Sequence, residues 1–380
     1  MDARELTAYI EWLSAGREAG EQAASSLARL SERSWEAWFR DTPPARTPHT
    51  LEALLDAAHL LLTRDPRRAL ALTGFVLAHL DDVAFPPFAL LGPVMLRGRT
   101  WKERGNALLK MDDVRNALIA FETAAAIYAT EAAARPELAA ATRGAALARH
   151  LLGESERALE LIREGAEVFA AHGEVREQAV SRLYEGVIHF DSGRYENAAR
   201  LFREALEHAL AVGDAELVAQ LHNNLGHCAE LLQDREAARA HLTRALALFE
   251  EHDMVAERPR AILGLAQVLA DEGLLARAIA ELEEVQRMFL TSGRHLQAAG
   301  TALDIVELLI LTGNEDGIYD RVSEMVRVFA EAGVVREAMR ALSFVRSVAG
   351  RGTLRADDVS REWAVIRGVS APGRESTPSA

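Results

Sequence analysis

From residue 93 to residue 333, apolar side chains recur at helical spacing, and a glycine closes block after block. The stretch VREQAVSRLYEGVIHFDSG reads as one amphipathic helix ending at Gly193, and RYENAARLFREALEHALAVGD as a second ending at Gly213. Charged residues fill the other positions, as expected of helices that bury one face against a neighbour. The blocks repeat with a step of 40 residues. Gly153, Gly193, Gly273 and Gly313 fall on one series, with Gln233 filling the missing term. Gly173, Gly213, Asp253, Gly293 and Gly333 form a second, and Ala158, Ala198, Ala238, Ala278 and Ile318 a third. Three interleaved series without drift predict a tandem array of two-helix units. Its glycines would close helices in the left-handed conformation, where a Cβ is strained.

Small residues sit where two helices of a unit must approach. Ala146, Gly186, Gly226 and Ala266 lie in the middle of the first helix. The alanine of the third series follows, then a large apolar residue (Ile162, Phe202, Leu242, Leu282), then Gly165, Ala205, Ala245 or Val285. This small–large–small order resembles the tetratricopeptide repeat, in its extended form of kinesin light chains and bacterial ligand-sensing regulators. HEAT and armadillo repeats share the longer period and lack this spacing. The resemblance implies an all-α fold, a right-handed superhelix of about seven helical hairpins with helical caps. It covers residues 51–350, most regularly 93–333. WKERGNALLKMDDVRNALIAFETAAAIYA is an earlier unit and residues 51–80 a degenerate first hairpin. Residues 1–50 read as an N-terminal helical cap and 351–368 as a C-terminal capping helix, since terminal repeats must cover an exposed apolar face. Residues 369–380 read as a disordered tail.

Composition removes several classes of function. The formal charge of −14 over 380 residues argues against a nucleic-acid binder, whose footprint is basic. One cysteine excludes a disulfide framework. The N-terminus lacks the pattern of a secretory signal, and no apolar run is long enough to span a bilayer, so a cytoplasmic protein is expected. Two lysines among many arginines point to a GC-rich, bacterial source. No Walker A loop, HExxH or nucleophile elbow is present, and the 12 histidines are scattered. The reading is a non-enzymatic chain with no cofactor and no metal site.

The stretch HNNLGHC, residues 222–228, concentrates the polar chemistry. In the repeat register Leu225 and Gly226 are the packing pair, and Cys228 is a small apolar filler. His222 and His227 stand about 140° apart around a helix and share no ligand face. The resemblance implies that Asn223, Asn224 and His227 point into the inner groove, where asparagine hydrogen-bonds an extended peptide; a carboxamide offers both donor and acceptor. Asparagine bonded to the neighbouring repeat is the alternative. Lys102 and Asn106 are similar to the opening of a carboxylate clamp, but the three remaining clamp places hold Gly144, Val180 and Tyr184.

The register adds Arg99, Arg143, His150, Phe190, Gln220, Arg260 and Gln267 to the groove, with Leu147, Leu183, Val187, Leu263, Leu303 and Glu307 beside them. An apolar stretch flanked by arginines and amides suits a helix or extended peptide carrying acidic groups. The function expected is a scaffold that binds a protein or peptide partner, not nucleic acid or membrane, with homo-oligomerisation through its terminal helices a further option. The alternative is a sensor whose superhelix binds a peptide or small ligand and controls a separate effector chain: a transcription regulator, a sigma or anti-sigma factor, or a protease.

Overall fold

The computed structural model describes residues 3–292, 294–312 and 321. Among these the secondary structure is helical, with no strand. The chain divides into two compact units, residues 1–214 and 215–380.

The first unit opens with α1 (Ala3–Ala28) and the short α2 (Trp35–Asp41). Four hairpins follow. They pair α3 (Pro48–Leu61) with α4 (Pro66–His79), α5 (Gly92–Lys110) with α6 (Val114–Tyr128), α7 (Arg135–Leu151) with α8 (Ser155–Ala171), and α9 (Val175–Asp191) with α10 (Tyr195–Val212). The second unit pairs α11 (Ala215–Leu231) with α12 (Arg235–Glu251) and α13 (Arg258–Asp271) with α14 (Leu275–Thr291), and adds α15 (His295–Thr312).

The predicted N-terminal extension shares a core with the first hairpin. Leu27, Trp35 and Phe39 are buried with Leu51, Leu54, Leu72 and Phe75, and the Phe75 ring meets Trp35 and Phe39 at centroid distances of 5.8 and 5.4 Å. The capping helix expected at 351–368, the tail at 369–380 and the series terms Gly293, Gly313, Gly333 and Ile318 lie outside the described residues.

The small–large–small register is the packing register. Ala158, Ala198, Ala238 and Ala278 are fully buried, and so are Ile162, Phe202 and Leu242 to within 1%. A Cβ on Gly186 would come 2.5 Å from the Phe202 ring, and one on Gly226 2.5 Å from Leu242 Cγ. The glycine lets a large side chain of the second helix lie directly on the first helix's backbone. The same large residue also meets the next unit's first helix, since Gly144 faces Phe121 and Gly264 faces Leu242. Phe121 and Leu242 are thus each held between two glycine-bearing helices.

The turn series behaves as predicted where it is described. Gly153, Gly193 and Gly273 have φ of 93°, 73° and 78°, and Gln233 adopts the same left-handed turn at 63°.

Candidate functional site

The inward positions of the first unit are occupied by the chain's own partners. On α5, Arg99 pairs with Asp56 of α3, while Lys102 Nζ lies 3.7 Å from Glu103 Oε1. Asn106 Nδ2 donates to Glu103 Oε2 at 3.1 Å, and His59 Nδ1 sits 3.0 Å from the same oxygen. Glu103 is 3% exposed. Burial by itself would raise its carboxyl, but the His59 hydrogen bond, the Lys102 charge and the Asn106 amide outweigh it and hold it at about 2. His59 is raised in turn, chiefly by its bond to Glu103. The two clamp-like residues therefore hold a carboxylate, and it is the chain's own.

Arg143, expected as a groove cation, is 8% exposed and serves as a strut between repeats. It pairs with the Glu177 carboxylate, donates to the Glu177 carbonyl at 3.0 Å and to Ser181 Oγ at 3.2 Å, and lies over the Phe169 and Tyr184 rings. His150 ties α7 to α9 through Asp191 at 2.9 Å, and Phe190 packs edge-on against Tyr195. The Arg143 and His150 contacts link repeat to repeat, and Phe190 packs within its own hairpin.

HNNLGHC separates into three environments on α11. Asn223 is 2% exposed, with no partner for its Oδ1, so the structure places it in the interior rather than at the groove surface. Asn224 and Gln220 are half-buried on the same helix, and Arg260 is exposed on α13. Cys228 is 1% exposed. His222 turns toward α12, where its Nδ1 lies 2.9 Å from His241 Nδ1. Burial, then His241 and Arg244, depress His222 to about 4. Among the described residues no group of three or more His, Cys, Asp or Glu side chains could hold a metal ion.

His227 faces the opposite way, into a cleft of about 560 Å³ within the second unit. Three successive first helices line it: α11 with His227 and Glu230, α13 with Leu263, Gln267 and Asp271, and α15 with Asp304, Glu307, Leu308 and Leu311. Four of the inward positions read from the repeat, His227, Leu263, Gln267 and Glu307, meet here. Leu303, expected beside them, is buried at 2%. Gly264 also lines the cleft; a Cβ there would come 3.0 Å from His227 Cε1. His227 Nδ1 lies 3.3 Å from Glu230 Oε2, and Gln267 Nε2 donates to Asp271 Oδ1 at 3.0 Å. Glu230, Asp271 and Asp304 are not among the residues singled out from sequence. Each lies three or four residues from an inward position, one helical turn away, so the periodicity that found His227 also reaches them.

A family profile of the tetratricopeptide repeat matches residues 178–251. The response regulator aspartate phosphatase J of Bacillus subtilis is 32% identical over 89 residues, 23% of this chain and 24% of that protein's length. In fold, the chain is similar to a Rap protein complexed with competence and sporulation factor, at 16% identity and a TM-score of 0.55 over 84% of this chain and 98% of that one. It is also similar to NprR in complex with its cognate peptide NprX, at 14% identity and a TM-score of 0.52 over 93% and 99%. No helix among the described residues is long and apolar enough to cross a membrane.

Proposed function

Taking the chain as a member of the tetratricopeptide-repeat family, we propose that it is a non-catalytic regulatory scaffold, and that it binds a peptide segment of a partner in the cleft of its second unit. The observation that carries this reading is the convergence of His227, Leu263, Gln267 and Glu307, from three successive repeats, on one open cleft. Its volume suits a short segment of side chains, and its mixture of leucines with a few polar groups is what a recognition surface needs. The first-unit candidates support the same assignment by contrast, because Arg99, Lys102, Asn106 and Arg143 are already engaged within the chain. Of the proteins of similar fold, NprR is complexed with its cognate peptide and the Rap protein with competence and sporulation factor, by their own descriptions. The relative named as a phosphatase lends a second reading, in which peptide occupancy controls a separate effector chain.

The test is site-specific photocrosslinking. A benzophenone side chain at Gln267, in the cleft, should capture a partner segment that the same group at Glu281, exposed on α14, does not. Capture from Glu281 alone would move the interface to the second helices and sink the proposal.

A further inference from the structure

The first unit holds a histidine that peptide binding does not use. His59 lies in the last turn of α3 with its side chain 61% exposed, yet its Nδ1 is fixed 3.0 Å from Oε2 of Glu103, a buried carboxylate of α5. Asn106 Nδ2 donates to the same oxygen at 3.1 Å, and Lys102 Nζ lies 3.7 Å from the other. Glu103 is ionised and only accepts, so neutral His59 carries its proton on Nδ1 and its lone pair on Nε2. Among the described residues no hydrogen bond engages Nε2.

We infer that His59 is a phosphoryl-acceptor site, modified at Nε2 by a donor with a phosphorus–nitrogen or acyl-phosphate bond, with Glu103 and Asn106 as positioning residues. A nucleophile held by a group that is itself held by a third is the arrangement that activates an imidazole. A carboxylate on Nδ1–H makes the ring more basic and fixes its orientation. Lys102 and Arg99 both act on the charge at His59, although Arg99 is shared with Asp56. Such cations favour an anionic electrophile over a neutral acyl group or a metal ion. In the step, the Nε2 lone pair forms the nitrogen–phosphorus bond while the donor's bond to phosphorus breaks. That electron pair leaves with the donor's amine or carboxylate, and an amine takes a proton from water. The Nδ1 proton stays in the bond to Glu103, whose charge offsets the charge gained by the ring. The modification needs nothing from the second unit, so peptide binding there stands or falls apart from it.

The experiment treats the full chain with potassium phosphoramidate, a small phosphoryl donor, and locates phosphohistidine by mass spectrometry of peptides kept alkaline. The bond to Glu103 raises His59, so the reaction runs at about pH 8.5, where the attacking neutral ring predominates. His172 and His252, both exposed, are internal references, and the His172 Nδ1 faces only a neutral carbonyl, that of Val168, at 2.8 Å. His59 should be labelled about tenfold or more faster than either. Glu103→Gln should bring His59 down to their rate and leave theirs unchanged, an outcome that a general loosening of the fold would not give. If Glu103→Gln loses its helical circular dichroism, Asn106→Ala, at a half-buried amide, should slow His59 severalfold against the same references. Labelling of wild-type His59 no faster than that of His172 and His252, or an unchanged His59 rate in whichever variant folds, overturns the inference.

Discussion

At the scale of single residues, two positions have a cost that their neighbours reveal. His222 and His241 can share their 2.9 Å contact only if one ring carries the Nδ1 proton and the other offers a lone pair. The folded chain therefore resists protonation of His222, held at about 4, while the unfolded chain takes up that proton near 6.5. The stability from this neutral pair is complete above pH 6.5 and is lost as pH falls toward 4. Because His222 is only half-buried, screening by solvent reduces the effect to roughly 1–2 kcal/mol. Urea unfolding at pH 7.5 and 4.5 should show wild type losing more stability than His222→Gln over that interval. Equal losses would mean that the pair does not titrate as described. Gln233 is the other case. It holds a left-handed turn at φ 63°, at a place where Gly153, Gly193 and Gly273 serve in other repeats. Gln233→Gly should stabilise the chain by about 0.5–1 kcal/mol, read as a rise in thermal midpoint. A fall would show that the side chain contributes more than its backbone strain costs.

At the scale of elements, the spacing between helices is set by which glycines face a large side chain. Gly226 lies against Leu242, where an added Cβ would stand 2.5 Å from Cγ and 3.2 Å from the backbone nitrogen. Gly165 occupies a place filled by alanine in two other repeats, and its nearest neighbours would be at 3.6–3.7 Å, ordinary contact. Gly226→Ala should thus open the α11–α12 hairpin and destabilise it by about 1–3 kcal/mol. Gly165→Ala should be neutral or stabilising, since it gains helix propensity without a clash. Circular dichroism melts of the two variants decide the matter, and a reversal of their order would break the register. The same logic explains why Gly144 and Gly264 were not evident beforehand: each faces the preceding unit's large residue, a contact between repeats that a single hairpin does not contain.

At the scale of the whole molecule, the net charge of −14 is unevenly answered. In the first unit arginines bind acids on neighbouring helices, as in Arg99–Asp56 and Arg143–Glu177, and so hold repeat to repeat. In the second unit the cleft's Glu230 and Asp271 are met instead by His227 and the Gln267 amide. The partly exposed Arg99–Asp56 pair contributes little stability by itself, whereas Arg143–Glu177 is largely buried.

The sequence by itself determined the architecture. A 40-residue period with small, large and left-handed positions in fixed order can be satisfied only by stacked hairpins, because each requirement is local to a helix or a turn. It also determined which faces point inward, since helical periodicity fixes direction around the axis; that is why His227, Leu263, Gln267 and Glu307 were found together. Whether an inward side chain is available was decided by tertiary structure alone. Arg143 and Asn223 occupy inward register positions, yet both are buried, and Lys102 and Asn106 turn to Glu103. Pairing of charges is a matter of a few ångströms between side chains remote in sequence. No periodicity encodes it, and so which inward groups are engaged within the chain became visible only once the helices were packed.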